Sequence, residues 1–144
     1  MISSKNARTV QDIGKEMYRL TDTYCHQLGS LALLSFPEFF QFVAGLDYRK
    51  ETGRFQFLAS PENVLSGNSP VVACANKSIL IGCWCKNHNI PFRFIACTRK
   101  PNTAYNHVFP QMFLNGKWTS VDATYPWHVP FSENKYVRSE VLSR

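Results

Sequence analysis

Apolar residues recur at three- and four-residue steps early in the chain: Val10, Ile13, Met17 and Leu20. That spacing lines one face of a helix and predicts one over Thr9 to Leu28, with Thr9 as its N-cap. A second apolar stretch runs from Leu31 to Leu46. Pro37 suits the first turn of a helix there, where its missing N–H is not needed. Phe39, Phe40, Phe42, Val43 and Leu46 would line that helix, and Gly45 and Asp47 mark its end. Residues 48–58 follow neither period. Ser60-Pro61-Glu62 then opens a helical turn through Leu65, with Ser60 as N-cap and Pro61 in first position. Residues 66–70 are a loop of Ser, Gly, Asn and Pro.

The clearest helical pattern starts at Cys74 and ends at His88, with Ile79, Leu80, Cys83 and Trp84 as its apolar stripe. Asn89 suits a left-handed C-cap, and Pro91 bars continuation. From there the period shortens. Phe92 to Cys97 is a short apolar strand and residues 99–106 a polar loop. His107 to Leu114 is a second strand, and Lys117 to Asp122 a third, with Trp118 on one face. Asn115-Gly116 between them is a two-residue hairpin turn. Pro110 cannot donate to a ladder, which predicts an edge strand or a bulge at that point. After Asp122 the chain is rich in turn residues, and its last ten residues read as a short helix or a polar tail. Helices followed by an antiparallel meander make an α+β domain, with the Cys74 helix packed on the sheet. A length of 144 residues fits one domain. Residues 1–58 form its N-terminal helical part, 59–125 its core and 126–144 a C-terminal loop and tail.

Composition supports a packed globular domain: 44% of residues are hydrophobic and 18% charged, so a core can form without staples. The formal charge of +6 is scattered. Its densest groups are Arg49-Lys50 and Arg99-Lys100. No basic run tracks a phosphate backbone, which argues against nucleic acid as a partner. Five cysteines, an odd number, argue against a secreted disulfide framework and for reduced thiols in the cytoplasm. Residues 1–6 lack the apolar run of a signal peptide, and no stretch approaches the ~20 residues of a membrane span. No membrane association is expected.

A thiol nucleophile needs anion-favouring surroundings, a base within hydrogen-bond reach and donors for a developing oxyanion. Cys74 alone among the cysteines starts a predicted helix, where free amides carry the positive end of the dipole. His107 lies eight residues before Asn115, and Asp122 six after Gly116. An antiparallel hairpin brings those positions together, and an acid beside a histidine fixes its tautomer. Each residue has a plainer reading alone: a packed thiol, a loop-edge histidine, a turn-forming aspartate. Their joint placement across one hairpin selects them. Gln56 and Asn68 are the upstream amides that could complete an oxyanion site. Tyr125, Trp127 and His128 could wall a groove. Cys83 and Cys85 with His88 and Cys97 invite a zinc reading. However, the first two lie about 200° apart around a helix, and paired Cys–x2–Cys knuckles are absent, so no metal is expected. His26 follows Cys25 near a helix end and is read as structural.

The stretch from Ser60 to Tyr125 resembles the core of transglutaminase-like proteins, a branch of the papain-type fold. The matching pieces are Ser60-Pro61-Glu62-Asn63-Val64-Leu65, Cys74, Asn89-Ile90-Pro91-Phe92-Arg93, His107-Val108-Phe109, Leu114-Asn115-Gly116-Lys117-Trp118 and Val121-Asp122-Ala123-Thr124. They span a little under half the chain. The resemblance implies Cys74 as nucleophile, His107 as general base and acid, and Asp122 as the orienting carboxylate. It implies acyl transfer from a peptide or isopeptide amide to water or an amine, with a protein or peptide substrate and no cofactor. Val72 stands where that family commonly has Gly, Phe109 where it has Trp, and Asn89 where it has Gly. These departures keep a second outcome open: a catalytically inactive member serving as a structural or protein-binding module of an assembly. Chains this short resemble those of bacteria and their viruses, so a phage-encoded copy would be virion-associated.

Overall fold

A computed structural model describes residues 9–50, 57–133 and 135–144. Four α-helices and four strands follow in order: α1 Val10–Tyr24, α2 Phe36–Ala44, α3 Pro61–Leu65, α4 Cys74–Asn87, β1 Phe92–Thr98, β2 His107–Leu114, β3 Lys117–Ser120 and β4 Arg138–Val141. A tight 3-10 segment, Cys25–Leu33, joins α1 to α2. The molecule is thus mixed helix and sheet, with a four-stranded antiparallel sheet in the order β3-β2-β1-β4.

Local chemistry explains the helix starts. Thr9 caps α1 in a capping box, its hydroxyl accepting from the Asp12 amide while Asp12 Oδ2 accepts from the Thr9 amide, both at 3.1 Å. Ser35 and Glu38 make the same reciprocal pair at the start of α2. Ser60 occupies the N-cap of α3, but its side chain makes no capping bond. The Glu62 amide donates instead to Gln27 Oε1 at 3.0 Å. The helix expected through Leu28 stops at Tyr24. Gly29, at φ 56° and ψ −132°, takes a backbone conformation open mainly to glycine, so the chain turns within the 3-10 segment. The carbonyl of Cys25 at that break accepts from Asn87 Nδ2 at 2.9 Å.

α4 is the axis of the core. Every residue from Cys74 to Cys85 is buried, so the helix has no polar face rather than the single stripe its spacing predicts. Gly82 lets it approach the sheet: a Cβ there would sit 3.0 Å from the Phe92 ring and 3.1 Å from both Phe94 and Thr21. Phe92, Phe94 and Ala96 on one face of β1 join this core, while Ile95 and Cys97 on the other meet Phe109 in a small second cluster. Asn89 takes φ 55°, as a left-handed cap does, and Asn115 and Gly116 take φ 52° and 80° in the hairpin turn.

Two expectations are corrected. Pro110 makes β2 neither an edge strand nor bulged, for β2 lies inside the sheet with unbroken register from Phe92↔Met112 to Cys97↔His107. The Val121 amide donates to the Pro110 carbonyl at 3.0 Å, so position 110 faces β3 and its absent N–H is missing on that side alone. No bond can return to Val121, which is why β3 ends at Ser120 and Asp122 lies beyond it. The C-terminal residues are likewise neither helix nor free tail. β4 pairs with β1 from Ile95↔Val141 to Thr98↔Arg138. Leu142 follows, 2% exposed, its amide donating to Phe94 and its carbonyl accepting from the Tyr18 hydroxyl. An edge strand buries little, so these polar residues carry no apolar period to betray it.

Candidate active site

The loop before α4 is pinned from both sides. Arg49 and Val72 exchange backbone bonds of 3.1 and 3.0 Å, and Arg49 Nη1 donates to the carbonyls of Gly67 and Ser69. Asn76, 1% exposed, donates to Val71 O and Phe57 O and accepts from the Ala59 amide. Cys74 therefore begins α4 at a fixed place. Its preceding residue, Ala73, supplies no side-chain cap, and the first turn holds no acid. The positive end of the helix is left for an anion at the sulfur.

His107, first residue of β2, brings the other groups together. Its Nε2 lies 2.7 Å from Asp122 Oδ2. Cys74 is near enough to act on the same imidazole and helps to raise its pKa. Burial alone would lower the imidazole pKa. The bonds and charges of Asp122 and Cys74 outweigh it and hold His107 well above its ordinary 6.5. Burial would raise the Asp122 carboxyl, but His107, His128 and Thr124 pull it far below its ordinary 3.8. Proton and charge therefore sit as imidazolium beside carboxylate.

Asp122 is itself held. Its Oδ1 accepts from the Thr124 hydroxyl at 2.5 Å and the Thr124 amide at 3.1 Å. His128 Nδ1 lies 3.7 Å from that oxygen and 3.4 Å from the Tyr125 amide nitrogen. That ring nitrogen either accepts from the amide or turns a hydrogen toward the carboxylate, and cannot do both at once. The Thr124 carbonyl in turn accepts from Lys77 Nζ at 2.8 Å. Lys77 is 1% exposed and also donates to Leu46 O at 2.9 Å and Ala44 O at 3.1 Å, at the end of α2. Its three ammonium hydrogens have three acceptors. Burial draws its pKa down to about 8, against the opposing charges of Asp122 and Asp47. A circuit results, from His107 through Asp122 and Thr124 to Lys77, and it ends in the same first turn of α4 that holds Cys74.

Two cavities of about 460 Å³ each open beside this circuit. One is bordered by His107, Cys97, Arg99, Lys100, Trp127 and His128, the other by Asp122, Arg99, Trp127 and His128 with Val129, Ser132, Glu133 and Lys135. The segment after Asp122 thus walls the site. Trp127, 72% exposed, stacks on Tyr125 with ring centres 4.6 Å apart and planes 2° from parallel. Cys74 is 7% exposed and borders neither cavity. Comparison with protein-family models, curated proteins and solved structures finds no match to this chain.

The structure brings Cys74, His107 and Asp122 together and sets Trp127 beside them. Asn68 is exposed in the loop after α3 and borders neither cavity, so it does not join them. Gln56 lies outside the described residues. Cys83 and Cys85 are encased, and burial raises both thiols, Cys85 to about 12. Among the described residues no group of three or more His, Cys, Asp or Glu is placed to hold a metal ion. No helix among them is long and apolar enough to cross a membrane. Sequence reasoning missed Lys77, which lies one turn after Cys74 on the same helix. It placed Cys97 at the end of a strand and Arg99 in a polar loop without bringing either to the site, where both border a cavity with His107.

Proposed function

We propose that the chain catalyses acyl transfer through Cys74 on a papain-type, transglutaminase-like core. The observation that carries this reading is one histidine bonded to a buried carboxylate and raised in pKa by that carboxylate and by a helix-starting thiol. In this scheme Cys74 Sγ, its proton on His107, attacks the carbonyl carbon of a peptide or isopeptide amide. The C–N bond breaks, and His107 returns the proton to the departing amine. Water or a second amine, deprotonated by His107, then attacks the thioester and restores the thiol. Asp122 keeps the imidazole oriented and stabilises its cation. The first-turn amides of α4 supply the oxyanion donors.

The test is chemical. Iodoacetamide at low concentration and pH 7 should alkylate Cys74 well ahead of Cys25, Cys83, Cys85 and Cys97, as read by peptide mass mapping. p-Nitrophenyl acetate should then give a burst of nitrophenolate equal to the enzyme concentration, absent in C74A. Selective labelling without a burst favours the second reading, a non-catalytic module of the same fold. Burial of Cys74 away from both cavities is the observation on that side. Equal labelling of all five thiols removes the enzyme reading.

A further inference from the structure

We propose that the cavity beside His107 is a carboxylate subsite, with Arg99 as its specificity-determining residue. The substrate would then be an acyl donor carrying a carboxylate close to the scissile amide. The inference rests on Cys74 being the nucleophile, and names what that nucleophile is offered.

Three side chains of one sign surround the cavities. Arg99 borders both, Lys100 borders the one shared with His107, and Lys135 the one shared with Asp122. The acids there are Glu133 and Asp122, and Asp122 is engaged by His107 and Thr124. The cationic surplus therefore lies on the side of the sheet where His107 opens. Arg99 follows β1, the strand that pairs with the one beginning at His107. Cys97 and His107 are Cα partners across β1 and β2, and Arg99, just past the end of β1, borders the same cavity as both. Its Nε donates to the Lys135 carbonyl at 3.0 Å, which lays the side chain along the rim. Among the described residues no other bond occupies its two Nη groups, the fork that grips a carboxylate in bidentate fashion. Trp127, its ring braced on Tyr125, forms an apolar wall common to both cavities and suits the carbon chain between carboxylate and amide.

Paired alkylating agents test this without knowledge of the natural substrate. Iodoacetate and iodoacetamide deliver the same carbon to sulfur and differ by one carboxylate. Cys74 should react with iodoacetate in preference. R99Q should lower the iodoacetate to iodoacetamide rate ratio by about tenfold, the effect of one charge-assisted hydrogen bond, and R99K should restore part of it. K100Q gives an independent second variant at the same cavity. N-acetyl-aspartate amide and N-acetylglycine, as competing protectants, separate an acidic side chain from a chain-terminal carboxylate as the source of the charge. A ratio unchanged in both R99Q and K100Q, or protection by neither compound, overturns the subsite while leaving Cys74 a nucleophile. A Cys74 no faster than the other thiols toward either agent overturns the nucleophile itself.

Discussion

α4 carries three of the five cysteines, and its two ends treat them differently. Cys74 is 7% exposed, and Cys83 and Cys85 are 0% exposed, so burial hardly separates them. Partners do. Cys74 faces an imidazole and an uncapped helix start, whereas the Cys83 thiol has the Thr21 carbonyl at 3.9 Å and a raised pKa from burial. A thiolate is suppressed where hydrocarbon and a carbonyl surround the sulfur, as at Cys83. One helix thus holds a thiol beside an imidazole at one end, and at its other, inert end two thiols raised in pKa by burial.

That contrast can be broken by experiment. The largest effect falls on His107. H107Q should slow acetylation of Cys74 by p-nitrophenyl acetate about 10²–10⁴-fold, the usual worth of a positioned acid-base group. A loss under tenfold would make His107 a mere neighbour and the two ends of α4 alike. K77M comes next. It strands three buried carbonyls and should cost about 2–4 kcal/mol in urea unfolding. It should also slow acetylation, because the Thr124 that holds Asp122 loses its anchor. Full acetylation rate in a destabilised K77M would separate the circuit's structural role from its catalytic one. G82A acts at the inert end. Crowding Phe92, Phe94 and Thr21, it should cost about 1–3 kcal/mol while leaving the acetylation rate intact. A rate that falls with it would mean the two ends are coupled through the packing of α4.

The last prediction is a slope with pH. His107 is raised above 6.5, so the stability it brings is complete below 6.5 and fades as pH rises through its folded value. Asp122 is lowered from 3.8, so its share is complete above 3.8 and fades only as pH falls through its folded value. The melting-temperature difference between parent and H107Q should be level from about pH 4 to 6.5. It should shrink above that range. A difference constant to pH 10 would show that the pair is not held as an ion pair.

The helix start at Cys74, the hairpin at Asn115-Gly116 and the approach of His107 to Asp122 were legible because each follows from local rules: cap chemistry, turn type and antiparallel counting. β4 was not. Its pairing with β1 is made by backbone, and Arg138, Ser139 and Glu140 look like solvent-facing loop residues until a strand edge is set beside them. The burial of Lys77 was equally hidden. Its three acceptors lie in segments 31, 33 and 47 residues away, and no local pattern reports them. Pro110 misled for an instructive reason: a proline spoils only the side of the strand its nitrogen faces, and here that side is where β3 stops.

The late pairing of β4 also bears on synthesis. β1 gains its first neighbour as soon as residues 107–112 are made, but its other edge stays open until residues 138–142 leave the ribosome. The segment that walls the cavities is held between Asp122 and that closing strand. A stalled nascent chain halted short of residue 138 would therefore present its thiol, its histidine and its aspartate without the wall, and with an unpaired strand edge that chaperones and neighbouring chains can meet.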